Sequence, residues 1–148
     1  MIESEAKKSY KKYGILPSIT VGQAILESGW GQSELTKNSN NLFGIKSDES
    51  WKGKSVEVNT TENYSDIVKA KFRKYDSIEE SIKDHAKFLK ENKRYKQHGL
   101  FEGNDYKEQA QSLENAGYST KKNQSGELIY ADMLIDLIER YNLFLMDK

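Results

Sequence analysis

Apolar and polar positions change period along this chain, and the changes mark its elements. Pro17-Ser18 makes a helix start, and from Ile19 the residues Val21, Ala24 and Ile25 recur at helical spacing with the stem of Gln23 on the same stripe. Gly29 and Gly31 predict that this helix ends near Trp30, which leaves Glu27 on its last turn. A short polar stretch, Ser33–Asn40, leads into Asn41–Lys46, and Asp48–Lys54 reads as a loop carrying Trp51 and Gly53. The period then becomes two. Val56 and Val58 alternate with polar residues, as do Val68, Ala70 and Phe72, which predicts an antiparallel hairpin with Thr61–Asp66 as its connection. Helical spacing returns from Ser77, an N-cap with Glu80 completing a capping box, and Ile78, Ile82, Ala86 and Leu89 form one face down to Asn92. Further helices are predicted over Asp105–Ala116, burying Tyr106, Ala110 and Leu113, and from about Gly126 to Tyr141, with Leu134, Ile135 and Ile138 in the stripe. Strands confined to one hairpin among helices give the α+β class.

Composition narrows the setting. The 148 residues make one ordinary domain, able to bury roughly 68–70% of the surface of its unfolded chain. We divide it into a helical or flexible lead-in, residues 1–14, and a main unit, residues 15–148. Lys and Arg total 23 against 23 Asp and Glu, so a nucleic-acid partner is not expected, because backbone binding needs a basic excess. No apolar run approaches the ~18 residues of a membrane span. There is no Cys, hence no disulfide, thiolate nucleophile or Cys-based zinc site. Met1–Tyr13 carries Lys residues but no apolar stretch after them, so it does not read as a secretory signal.

Elimination leaves carboxylates as candidate chemistry. The chain holds no nucleophile elbow and no phosphate-binding glycine pattern. His85 and His98 lie outside any metal-ligand spacing, and His85 shares a helix side with Ile82 and Leu89, as a satisfied, partly buried His would. Neither a metal nor another cofactor is expected. Two readings of Glu27 stand at this point. Set between Ile25-Leu26 and Trp30, it has the surroundings that desolvate a carboxyl, raise its pKa and suit a general acid. Otherwise it is an exposed last-turn residue with a local hydrogen bond.

The wider string Gln23-Ala24-Ile25-Leu26-Glu27-Ser28-Gly29-Trp30-Gly31-Gln32-Ser33 resembles the catalytic segment of glycoside hydrolase family 73, the peptidoglycan endo-β-N-acetylglucosaminidases. Asn40-Asn41-Leu42-Phe43-Gly44-Ile45-Lys46 is similar to that family's next motif. Thr61-Glu62, Phe72-Arg73-Lys74-Tyr75, Asn92-Lys93-Arg94-Tyr95, Ala116-Gly117-Tyr118-Ser119-Thr120 and Ile138-Glu139-Arg140-Tyr141-Asn142-Leu143 follow in the family's order. The resemblance runs from Ile15 to Leu143.

It implies a lysozyme-like fold, a mainly helical body with a β-hairpin lobe flanking a substrate groove. It implies Glu27 as the acid that protonates the glycosidic oxygen and Glu62 as the second carboxylate, a base or a stabiliser of oxocarbenium-like charge. A solvated turn carboxylate is the plain alternative for Glu62, and Glu57 is its rival on the same hairpin. Asn41 and Gly44 would let the backbone approach a sugar, Tyr95 and Tyr118 would stack on sugar faces or else pack in the core, and Trp30 would wall Glu27. Phe43 and Phe72 are expected in the core. Where family members often carry Asp-Pro before the last helix, this chain has the longer Lys121–Tyr130, with Tyr130 the counterpart of a family Tyr and an altered groove rim expected. The resemblance thus points to cleavage of the β-1,4 bond between N-acetylglucosamine and N-acetylmuramic acid in bacterial peptidoglycan. The expected setting is extracytoplasmic, by a monomer without membrane insertion, delivered as a phage-type lysis protein or as part of a longer chain. A lytic transglycosylase or muramidase of the same fold, and a non-catalytic wall-binding module, are the alternatives.

Overall fold

The computed structural model describes residues 2–62 and 66–148, with side chains for all of these except 60–62 and 66–67. The lead-in is a helix, α1 (Ile2–Tyr13), in contact with α2 (Pro17–Ser28) and α4 (Ile78–Glu91). Between α2 and α4 come a short helix, α3 (Glu34–Ser39), and the hairpin β1 (Ser55–Glu62) and β2 (Asp66–Arg73). After α4 follow α5 (Lys93–Gln97), a 3-10 turn over Leu100–Glu102, α6 (Tyr106–Asn115), α7 (Tyr130–Arg140) and a 3-10 turn over Leu143–Asp147.

The body is built around α2, and neighbours close to it in space but far along the chain hold both its flanks. Its N-terminus has no cap from its own Leu16. Instead Asp147, near the far end of the chain, accepts from the Ser18 amide at 2.9 Å and from the Ser18 hydroxyl at 2.6 Å. Free N–H groups at a helix start need such an acceptor, and here the tertiary fold supplies it. On the other flank α7 comes close because Gly22 has no side chain: a Cβ there would meet Leu134 Cδ1 at 2.9 Å. Ile19, Leu113, Leu134 and Ile138 are fully buried in the cluster that joins these helices. A second cluster, Ala24, Leu42, Phe43, Ile45 and Ile82, seats the loop after α3 on α2 and α4.

Several boundaries differ from the sequence expectation, each for a local reason. The strands run on to Glu62 and from Asp66, with Val56 opposite Phe72 and Val58 opposite Ala70, so the hairpin connection is shorter than Thr61–Asp66. α7 begins at Tyr130, not near Gly126. The Asn123 side chain accepts from the Ser125 and Glu127 amides and Gly126 adopts φ +82°, a turn that Lys122 and Leu128 close by a β-bridge. Glu80 returns its capping bond to the Asp76 amide, while Ser77 accepts from Glu80 as expected. Tyr106 is only half-buried, because its ring stacks on Phe144 and its hydroxyl reaches Glu139 at 2.7 Å.

A lone two-stranded hairpin is marginal in water, so its base must be fastened. Arg73, buried at the end of β2, does this. It donates to the Lys46 carbonyl at 3.1 Å, pairs with Asp84 of α4 at 2.9 Å, and lies over the Trp51 ring. Asn41 fastens the adjoining loop. Its amide donates to the carbonyls of Ile45 (3.0 Å) and Arg73 (2.9 Å), and its oxygen accepts from the Ile45 amide (3.2 Å). At 1% exposure it serves the fold and cannot touch a sugar, which corrects the expectation of a groove residue.

Asn41→Ala leaves three buried backbone groups without these partners and should cost about 3 kcal/mol, roughly 6–12 °C in Tm, read by thermal unfolding. Acid should weaken the fold through His85, fully buried and held neutral by burial down to about pH 3 from its ordinary 6.5. Between those values the unfolded chain binds the proton and the folded chain does not, so stability falls as pH drops from about 6.5 toward 3. Chemical denaturation across that window measures it.

Candidate active site

A groove of about 620 Å³ opens where the end of α2 meets the loop after α3, the α4–α5 junction and the loop after α6. Glu27, Gly44, Asp48, Asn92, Tyr118 and Thr120 are among the residues lining it. Another hollow, of about 420 Å³, lies between α1 and α4 and is lined by lysines and acidic residues away from Glu27.

Local sequence places Glu27 at the rim of this groove. α2 ends at Ser28, and Gly29, Trp30 and Gly31 follow with φ of 57°, 61° and 79°. Ser28 secures the exit: its hydroxyl donates to the Ala24 carbonyl and accepts from the Gly31 amide. Glu27 therefore occupies a fixed last turn. It stays open to solvent on the groove side, yet loss of hydration from the surrounding protein raises its pKa above the ordinary 4.5. A hydrogen bond from Tyr130 and the positive charge of Lys121 act the other way and offset part of that rise. Lys121 thus brings a positive charge toward the carboxyl.

Behind Glu27 stands a line of rings. Tyr130 lies 5.3 Å from Tyr118, Tyr118 lies 6.2 Å from Tyr95, and Tyr95 lies 6.2 Å from Phe88, centroid to centroid. Tyr118 is half-buried and lines the groove, and burial pushes its hydroxyl well above 10, keeping it neutral. Gly44 also faces the groove. Its φ of +66° and the open space around its missing Cβ require glycine and leave bare backbone at the surface.

The remaining expected contacts are placed as follows. Tyr95 is fully buried, with its hydroxyl accepting from Arg94 at 2.8 Å; it packs in the core and forms part of the groove's floor. Tyr130 is 2% exposed and engages Glu27 from behind. Trp30 is 55% exposed and is not among the residues lining the groove; its ring lies edge-on to Tyr141 at 4.9 Å. Phe43 is core as expected, stacked on His85, whereas Phe72 is half-buried. Glu62 ends β1 in register with Asp66, and its side chain lies outside the described residues. Glu57 is exposed opposite Lys71 and is not on the groove.

One groove residue, Asp48, and the arginine beside it were given no task from the sequence. Asp48, in a loop of no regular pattern, is held below the ordinary carboxylate range by the Ser50 hydroxyl, with the Arg73 charge adding. Arg73 itself was part of a matched motif but carried no assigned task. Among the described residues no group of His, Asp and Glu converges as a metal site, and no helix is long and apolar enough to cross a membrane.

Comparison with known proteins agrees with this arrangement. Residues 3–143 match the Glucosaminidase family, described as mannosyl-glycoprotein endo-beta-N-acetylglucosaminidase. The exo-glucosaminidase LytG of Bacillus subtilis is 40% identical over 96% of this chain and 50% of its own length. The peptidoglycan hydrolase FlgJ of Vibrio cholerae is 35% identical over 92% of this chain and 42% of its own. The chain thus spans about half the length of the curated relatives it matches. Among solved structures, the catalytic domain of the autolysin Auto from Listeria monocytogenes superposes with a TM-score of 0.82 at 35% identity, covering 99% of this chain and 83% of that one. The glycoside hydrolase domain of Salmonella typhimurium FlgJ gives 0.75 at 34% identity, covering 96% and 84%. A helical body with one antiparallel hairpin, the groove at its junction and a match across nearly the whole chain place this protein in the glucosaminidase family, glycoside hydrolase family 73.

Proposed function

We propose that this chain hydrolyses the β-1,4 bond between N-acetylglucosamine and N-acetylmuramic acid within bacterial peptidoglycan strands, outside the cytoplasm, with Glu27 as the general acid. The observation that carries this is the Glu27 carboxyl, fixed on the last turn of α2, open to the groove and raised in pKa by its surroundings. A raised pKa keeps the proton on the acid nearer neutral pH, where it can pass to the leaving glycosidic oxygen.

As the bond breaks, positive charge grows at the sugar's anomeric carbon, and a second carboxylate or the substrate's own N-acetyl group answers it. Glu62, at the end of β1, is our proposed second carboxylate. Asp48 is a further anion on the groove, and its ionised state adds to the field there. Gly44 offers bare backbone to a sugar and Tyr118 offers a ring edge with a neutral hydroxyl. The names of the relatives, peptidoglycan hydrolase and glucosaminidase, support the substrate class. In this reading the chain acts as a monomer and needs no cofactor.

Digestion of purified cell walls tests the assignment. Fragments ending in reducing N-acetylglucosamine are the expected products, whereas 1,6-anhydro-muramic ends would assign a lytic transglycosylase and wall retention without release would assign a binding module. Glu27→Gln should keep its Tm and wall binding while kcat drops about 10²–10⁴-fold, since an amide cannot donate the proton. In the wild type the alkaline limb of kcat/KM should lie above the ordinary 4.5 of a carboxyl, because activity is lost only as Glu27 deprotonates. Glu62→Gln should cost less than Glu27→Gln, and rescue by azide would mark a base. Trp30→Ala should leave turnover near that of the wild type, which a groove contact would not allow.

A further inference from the structure

Gln23 is fully buried in the middle of α2, one turn before Glu27, and its amide is used at both ends. Nε2 donates to the Tyr130 hydroxyl oxygen at 2.9 Å, and Oε1 lies 2.8 Å from Nε2 of His85 on α4. The Tyr130 hydroxyl in turn acts on the Glu27 carboxyl and holds its pKa down. A chain of polar groups thus runs from a buried imidazole through an amide and a phenol to the proposed acid. Resting on the reading of Glu27 as that acid, we propose that His85 and Gln23 are positioning residues, which fix the direction of this chain so that Tyr130 always donates to one Glu27 oxygen and the acidic proton sits on the other, facing the groove.

The direction follows from counting donors and acceptors. With the Gln23 NH₂ turned to Tyr130, the Gln23 oxygen faces His85, so His85 must carry its proton on Nε2. Nδ1 is then a bare acceptor, and it is the ring atom that has no hydrogen-bond partner. That is the milder way to leave a buried atom unmatched, because an N–H without an acceptor is rarer than an unused lone pair. The Tyr130 oxygen, already accepting from Gln23, has one proton left to give, and Glu27 is its acceptor. Burial keeps His85 neutral to about pH 3, so the chain does not reverse by protonation in the range where the enzyme works. Stacking on Phe43, 3.8 Å away and 15° from parallel, fixes the plane of the imidazole.

The charged and titratable groups around the acid are few. Tyr130 and Lys121 act on Glu27, and Glu27 acts on Tyr118 and Tyr130. For His85 the cause of the shift is burial alone, so its influence on Glu27 passes through hydrogen bonds and not through charge. A donor to the carboxylate holds its pKa down. Without His85, the Gln23 amide is free to turn over and accept from Tyr130, the Tyr130 proton divides between two acceptors, and the pKa of Glu27 rises.

Three measurements on the 148-residue chain test this. Long-range ¹H–¹⁵N correlation of the wild type should find the His85 proton on Nε2. Direct titration of the ¹³C-labelled Glu27 carboxyl should show His85→Leu raising its pKa by roughly one unit, the scale of one charge-assisted hydrogen bond partly lost. The alkaline limb of kcat/KM should move with it, with kcat down on the order of tenfold and KM little changed. His85→Gln, which restores an N–H donor, should return the titration most of the way. A proton on Nδ1 in the wild type, an unmoved Glu27 titration in a folded His85→Leu, or a shift that His85→Gln fails to reverse would each overturn the proposal. The spectroscopic measurements need no turnover, so they stand even if an active Glu27→Gln shows that the acid lies elsewhere.

Discussion

The packing behind the candidate site centres on one buried amide, bonded at both ends. Gln23 sits where α2, α4 and α7 converge, and an unpaired amide in such a place is costly enough to decide how the helices pack. Its two hydrogen bonds join α2 to His85 of α4 and to Tyr130, the first residue of α7. Gly22, the neighbouring residue, permits the approach that Gln23 directs: without a side chain there, Leu134 and Ile138 close on α2 and bring Tyr130 to Glu27. Apolar burial drives the helices together, and the polar chain selects the register in which they stop.

The two sides of the groove are held by different forces. The α2 side is rigid, an exit turn stapled by Ser28 and backed by packed rings. The hairpin side hangs on side chains at its base. Arg73 reaches into α4 and the groove loop, and Asn41 ties that loop to the last residue of β2. A two-stranded sheet adds little cohesion of its own, so these fastenings determine where the hairpin points. Glu27 thus sits on the packed side, while the loop that carries Gly44 and Asp48 is held by Arg73 and Asn41.

Charge is placed as selectively as packing. The chain has equal numbers of basic and acidic residues, yet Lys121 and Tyr130 act on Glu27 from the rim and from behind, and Arg73 and Ser50 keep Asp48 ionised. One carboxyl is raised and another lowered on the same groove, and different surroundings produce this difference between chemically similar groups. The Lys121–Tyr130 segment contributes twice, through its cation and through the turn at Asn123–Gly126 that precedes α7.

The sequence by itself determined the elements and singled out Glu27 as the candidate acid. Helical and alternating periods gave α2, α4, α6 and the antiparallel hairpin, because burial of one face is a local demand that repeats along the chain. Glu27 was legible from its apolar neighbours and from the motif around it. Tertiary structure alone decided which motif residues reach the groove. Asn41 became a backbone clip, Tyr95 core, Tyr130 a partner of Glu27, and Trp30 a ring on another face, since a motif records that a residue type is required and not in which direction it points. The helix start at Ser18 was foreseeable, but its cap by Asp147 was not, nor was the role of Gln23, noted only for its apolar stem. Those contacts join residues more than a hundred positions apart, and their partners are chosen by unmet hydrogen bonds in the packed interior, a quantity that no local pattern carries.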